Sequence, residues 1–318
     1  MFSRFYYSIL IPNVAVYQFC GANMTQQPHR FQFAAMTVPC EISILSGSRT
    51  TAETVAKRIH QSTKSLERVY NFYSGDSWLS REVNQRTSSR VRLNSEQVAL
   101  FQQMRHLCEL TGGLFDPAIG TVKLASRERP DVSKEELVNE LRPVMGLDSW
   151  ALDGDWLVFG DTRTAFDLGG VIKEYAVDVA ASLASEAGVS CLINYGGDMH
   201  VKGRKPNGDY IAIGVKDPLA PDKVLCTLAL ENAGLTTSGF YERTVTIGGK
   251  KGAHIISSRQ TGPASILSAT VIAPGTLEAG VFSTALMLNP ALSVPEHIQY
   301  VVVGKGKEIY SNLPNIVR

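Results

Sequence analysis

Three short segments carry glycine pairs, and one of them sets its pair beside charged side chains in a combination suited to holding a phosphate-bearing ligand. The most informative is Phe166-Asp-Leu-Gly-Gly-Val-Ile-Lys-Glu-Tyr-Ala-Val-Asp178. Gly169 and Gly170 let backbone approach a ligand, a helix starting after them offers unpaired N–H groups, and Lys173 in its first turn adds positive charge. Asp167 can accept hydrogen bonds from ribose or ring donors. This describes a phosphate or pyrophosphate site, and equally a tight strand-to-helix turn with a solvated lysine. The second segment, Asn194-Tyr-Gly-Gly-Asp198, reads best as a hairpin turn between two strands. The third, Leu110-Thr-Gly-Gly-Leu-Phe-Asp-Pro-Ala-Ile-Gly120, reads by itself as a helix stop followed by a turn.

The elements that must position these segments are outlined by hydropathy. Glu41 to Leu45 alternates as a strand. Between Thr50 and Tyr70, apolar residues at Ala52, Val55, Ala56, Ile59, Leu66, Val69 and Tyr70 predict a helix, with Thr50 or Thr51 as N-cap. Asn94 to Leu110 predicts a second helix, ended by Gly112-Gly113, and Lys173 to Ala187 a third, closed by Gly188. Short strands follow at 191–195, 200–203, 210–215, 225–230, 244–247, 268–273 and 299–303, with a helical stretch at 278–288. Strands grouped together, rather than alternating with helices, favour an α+β fold over a doubly wound sheet. Residues 31–318 are expected to form one domain with an inserted lobe near 121–160, and residues 1–30 an N-terminal tail or signal-like segment.

Bulk properties exclude several classes. The 318 residues are 44% hydrophobic and 19% charged, enough length and apolar content for a sizeable core. With 31 basic and 30 acidic residues, an electrostatically driven nucleic-acid surface is not expected. The five cysteines, at positions 20, 40, 108, 191 and 226, have neither zinc-site nor disulfide-framework spacing. The apolar run from Phe5 to Phe19 follows a lone Arg4 and loosely resembles a signal peptide, but Pro12 and Asn13 interrupt it and it is too short to span a bilayer. No stable membrane span is expected. The expected location is the cytoplasm, with export to the periplasm as the alternative if that run is a signal peptide.

Taken together, the segments resemble the FAD:protein FMN transferase (ApbE) family. Family-like pieces occur in the family's order at 33–36 (FAAM), 73–81 (YSGDSWLSR), 110–117 (LTGGLFDP), 167–178 (DLGGVIKEYAVD), 194–198 (NYGGD), 237–241 (TSGFY), 254–256 (HII) and 283–286 (STAL). The resemblance implies an ApbE-like fold with a largely antiparallel sheet and packed helices. It also implies cleavage of FAD with Mg2+ and transfer of FMN to a threonine or serine of an acceptor protein. By position, Met36, Tyr73, Leu114, Phe115, Asp116, Asp167, Lys173 and Ile255 would line the FAD site. The Gly170 carbonyl and the Ser283 and Thr284 side chains would face the metal, and His254, with Lys173, would act at the reacting phosphate. The chemistry suits such a set: a hard cation and a lysine neutralise phosphate oxygens, an aromatic ring can cover the flavin, and a histidine can accept the hydroxyl proton.

Several positions depart from the family pattern. Gly280 stands where the family carries a metal-ligating aspartate, and Glu174 where it usually has glycine. The glycine normally following Met36 is absent, and Ile256-Ser-Ser-Arg-Gln-Thr-Gly262 replaces a usual Asp-Pro stretch. Glu278 is near Gly280 in sequence, but on a regular helix it points about 200° away. Two expectations follow: an active transferase with a rearranged metal shell, or an FAD-binding relative that binds flavin or a partner without transfer. For the second, restoring Gly280→Asp is expected to create metal-dependent FAD cleavage.

Overall fold

The computed structural model describes residues 8–11, 14–17, 27–239, 244–247, 250–253 and 266–313. In chain order come β1 (Ser8–Ile11), β2 (Val14–Tyr17), β3 (His29–Ala35), β4 (Val38–Ile44), α1 (Arg49–Tyr70), a π-helical turn at Leu79–Asn84, β5 (Arg90–Arg92) and α2 (Ser95–Leu110). Then follow α3 (Gly120–Glu128), α4 (Lys134–Leu141), β6 (Trp150–Asp153), β7 (Trp156–Phe159), α5 (Ile172–Glu186), β8 (Cys191–Tyr195) and β9 (Asp198–Lys202). The remainder is β10 (Ile211–Asp217), β11 (Ala220–Leu230), β12 (Ala233–Gly239), β13 (Thr244–Ile247), β14 (Lys250–Ala253), β15 (Ile266–Ala273), α6 (Thr276–Leu288), β16 (Gln299–Gly304) and β17 (Ile309–Ser311).

Helix starts follow local capping chemistry. Ser48, rather than Thr50 or Thr51, caps α1: its hydroxyl accepts the Thr51 N–H at 3.1 Å. Asn94 and Gln97 form a reciprocal capping box on α2, each side chain accepting the other's backbone N–H. The first turn of α6 has no cap from its own segment; the Asp178 carboxylate on α5 accepts the Thr276 and Leu277 N–H groups at 2.6 and 2.9 Å. Residue 178, which ends the glycine-rich segment, thus fixes α6 against α5.

The fold is α+β. An eight-stranded sheet runs β17-β16-β15-β12-β9-β8-β4-β3, every neighbouring pair antiparallel. Period-2 alternation sends its side chains to two cores. Ile42, Ile193, Tyr195, Ala269 and Val271 face the helices, whereas Leu192, Met199, Val201, Leu235 and Ile272 face β10 and β11. The expected tail contributes the β1–β2 hairpin, with Ala15 and Val14 opposite Gly214 and Val215 of β10. In the region expected as a lobe, β6 and β7 pair with each other and β7 with β5, while Leu137, Trp150, Leu157 and Phe159 are buried in the helix-side core.

Candidate active site

A cleft of about 210 Å³ opens where the β3–β4 turn, the end of α1 and the start of α5 meet. Met36 and Thr37 line it from the turn, Glu67 and Tyr70 to Tyr73 from α1 and beyond, and Asp167, Gly169, Ile172 and Lys173 from the glycine-rich segment. Four of the expected FAD-site residues, Met36, Tyr73, Asp167 and Lys173, therefore come from three distant stretches to one opening. Tyr73 is 68% exposed at its mouth. The Arg127 guanidinium lies 5.0 Å from the ring centres of both Tyr73 and Phe72. Tyr70 is buried, and burial raises its phenol well above the ordinary value.

The segment carrying Asp167 is held from outside. Asn84, ending the π-helical turn, donates to the Phe166 carbonyl at 2.9 Å and accepts the Phe166 N–H at 2.8 Å, as a neighbouring strand would. Buried Arg86 donates to the carbonyls of Val83, Thr164 and Asp161 and lies 3.5 Å over the Phe159 ring. That burial lowers its guanidinium value to about 10. Gly120 packs so closely that a β-carbon there would sit 2.5 Å from the Phe166 carbonyl carbon and 2.7 Å from the Asp167 nitrogen. The Leu110–Gly120 segment is thus more than a helix stop: its last residue must be glycine for Asp167 to stay where it is.

Within the glycine turn, many donors are already engaged. The Gly169 N–H donates to Asp167 Oδ1 at 2.8 Å, and the Val171 and Ile172 N–H groups donate to the Leu168 carbonyl at 2.9 Å. Asp167 Oδ2 pairs with buried Lys123. The helix start is therefore less of an open anion cradle than the glycine pattern suggests, and Asp167 organises the turn as well as facing the cleft. Lys173 is not a solvated lysine. It is buried, paired with Asp198 and, at 3.3 Å, with Glu174 Oε1. Asp198 closes the Gly196-Gly197 hairpin turn, so the Asn194–Asp198 segment is the expected hairpin and also a source of charge at the site.

The other expected residues fall around this centre. Phe115 is buried beside Gly170, whose β-carbon position lies 3.8 Å from its ring, and Leu114 is half-buried next to it. The Asp116 carboxylate accepts the Ala118 and Gly146 N–H groups at 2.9 Å, a loop-organising arrangement. Ser283 is buried in a hydroxyl cluster, with its Oγ 2.8 Å from Ser238, 3.2 Å from Thr236 and donating to the Gly280 carbonyl at 3.0 Å. Thr284 is half-buried on the next position of α6. His254 and Ile255 lie outside the described residues. Glu278 accepts a hydrogen bond from His297 at 2.8 Å. The side chain beside Gly280 is instead Glu174: a β-carbon at 280 would meet Glu174 Cγ at 2.7 Å and Cδ at 3.4 Å.

An antiparallel sheet backed by helices, with a cleft at a glycine-rich turn, defines a class. The sequence pattern of the ApbE family matches residues 36–301, and the chain belongs to that family. It is 25% identical over 264 residues to an FAD:protein FMN transferase of Haemophilus influenzae, covering 77% of this chain and 76% of that protein. It is likewise 25% identical over 247 residues to one of Vibrio cholerae, covering 74% of each. The fold matches the ApbE protein of Thermotoga maritima with a TM-score of 0.79 at 24% identity, over 90% of this chain and 97% of that one. It matches the flavin transferase ApbE of Vibrio cholerae with a TM-score of 0.76 at 22% identity, over the same shares.

Proposed function

We propose that this chain is an FAD:protein FMN transferase, and the convergence of Met36, Tyr73, Asp167 and Lys173 on one cleft carries that reading. In the reaction, a threonine or serine hydroxyl of the acceptor protein bonds to the phosphorus of the FMN half. The bridging P–O bond breaks, AMP leaves, and the hydroxyl proton passes to a base, a role that falls to His254. Tyr73 covers the flat ring system at the mouth of the cleft. Asp167 accepts hydrogen bonds through lone pairs left beside Gly169 and Lys123. Lys173 orients the phosphate end.

The Gly170 carbonyl, Ser283 and Thr284 would hold Mg2+, which when bound neutralises phosphate charge. The fit is supported by chemistry on this chain: Glu174, Asp198 and Lys173 form a buried group of net charge −1, and Glu174 Oε2 has no hydrogen-bond partner among the described residues. A hard cation with one or two carboxylates and several waters suits such oxygen donors. The described cysteines, Cys40, Cys108, Cys191 and Cys226, carry free thiols. Among the described residues no helix is long and apolar enough to cross a membrane.

The test is to incubate the purified protein with FAD, Mg2+ and a threonine-containing acceptor, following AMP by chromatography and protein-bound flavin fluorescence. AMP and flavinylated acceptor are expected in equal amounts, both abolished by chelator. FAD binding without any AMP release would overturn the transfer reading.

A further inference from the structure

The contact between Glu174 and Gly280 joins two positions 106 residues apart in sequence, and it is steric before it is chemical. Glu174 sits in the first turn of α5 and is 6% exposed; Gly280 lies in α6, which packs on α5. With Glu174 Cγ only 2.7 Å from where a β-carbon at 280 would stand, the two positions cannot both carry side chains without a shift. The glutamate fills the space that the glycine leaves. One of its oxygens, Oε1, reaches Lys173; the other, Oε2, is buried and unpartnered among the described residues. An ionised oxygen left so is a buried charge without compensation, an unfavourable state that a bound cation relieves. Lys173 cannot cancel the deficit, because Asp198 already matches its single charge.

We propose that Glu174 supplies the carboxylate ligand of a divalent-cation site from α5, and that Gly280 on α6 is the complementary change that makes room for it. The inference rests on the transferase reading for the identity of the cation, a hard ion such as Mg2+ or Mn2+. It revises where the carboxylate comes from. A +2 ion converts the buried net charge of −1 into +1, the sign that a diphosphate ester requires. Glu278 is directed to His297, with its Oε1 2.8 Å from that ring, and the side chain beside Gly280 is Glu174. Gly280→Asp alone does not rebuild a site, because its β-carbon collides with Glu174 Cγ; a carboxylate at 280 becomes possible once the side chain at 174 is cut back, as in Glu174→Gly.

Mn2+ binding to the full chain, followed by electron paramagnetic resonance without FAD or acceptor, tests this independently of turnover. One Mn2+ site, displaced by Mg2+, is expected in the unmodified protein. Glu174→Gln preserves shape and should weaken it by about ten-fold or more, as loss of a ligand exceeds the usual effect of disturbing an outer-sphere partner. Glu174→Gly/Gly280→Asp should recover most of that affinity, whereas Gly280→Asp alone should lower both affinity and melting temperature. Absence of any Mn2+ site in the unmodified protein, or unchanged binding in Glu174→Gln, overturns the proposal. Should Glu174→Gln fail to fold, the double variant decides: Mn2+ binding supports the exchange and its absence refutes it. Lost Mn2+ binding in Glu174→Gln, in a protein that releases no AMP, would keep the site and reject the transferase. AMP release with unchanged Mn2+ binding in Glu174→Gln would do the reverse.

Discussion

At the residue scale, Lys173 matters as much for what it balances as for what it would touch. Removing it leaves Asp198 and Glu174 as buried carboxylates without a paired cation among the described residues, a change that typically costs about 3–5 kcal/mol. Lys173→Ala should therefore lower both unfolding free energy and FAD turnover. Adding Asp198→Asn should restore part of the stability but not the turnover. A urea-denaturation double-mutant cycle reads the coupling; additive losses would show that the pair is not formed. Cys40 gives a pH prediction nearby. Burial, opposed by a backbone hydrogen bond at Ala35, pushes its thiol up to about 11 from 9.0. The folded chain thus holds the proton over a range where the unfolded chain releases it. This contribution is fully present below pH 9.0 and is lost as pH rises towards about 11. Cys40 should resist thiol reagents at pH 8, and its labelling at the rate of a free thiol in the native protein would contradict the assignment.

At the element scale, what positions Asp167 is a set of clamps between segments far apart in sequence. Asn84 supplies two hydrogen bonds to Phe166, so Asn84→Ala should cost about 1–3 kcal/mol by leaving buried backbone groups unpaired. It should also weaken FAD binding with no change in cleft side chains; equilibrium FAD titration and urea denaturation check the two effects. An unchanged FAD affinity would mean the turn holds its shape without Asn84. These clamps also show where sequence reading stops. Helices α1, α2, α5 and α6 were legible because apolar spacing and capping chemistry are local, although Ser48 rather than a threonine begins α1, whereas α3 and α4 fell in the stretch read only as a lobe. The glycine-rich segment was legible as a candidate site because residue types within one turn suffice to suggest it. Lys123 with Asp167, Asp198 with Lys173, and Glu174 with Gly280 were not, since no spacing rule joins residues 44, 25 or 106 positions apart. The π-helical turn that carries Asn84 has no periodicity signal of its own.

For the whole molecule, the eight-stranded sheet separates two cores with different duties. The helix-side core contains Phe115, Phe166, Leu168 and Ile172, which surround the glycine-rich segment, so its packing and the cleft are one problem. The opposite core, built from Leu192, Met199, Val201 and Leu235 against Ile211, Ile213 and Val215 of β10, shares none of its buried residues with the cleft lining. Ile213 is fully buried there, and Ile213→Ala removes three carbons from a packed interior. A loss of about 2–5 kcal/mol is expected, from transfer free energy plus the cavity left behind. Measured below the melting transition, the same variant should bind FAD with unchanged affinity, because no cleft residue belongs to the second core. By contrast, Phe166→Ala, with a comparable cost of about 3–5 kcal/mol, should also weaken FAD binding, since it loosens the backbone that presents Asp167. Calorimetric melting and FAD titration on the two variants separate the cases. A matching loss of FAD affinity in Ile213→Ala would show that strain crosses the sheet and that the two cores act as one.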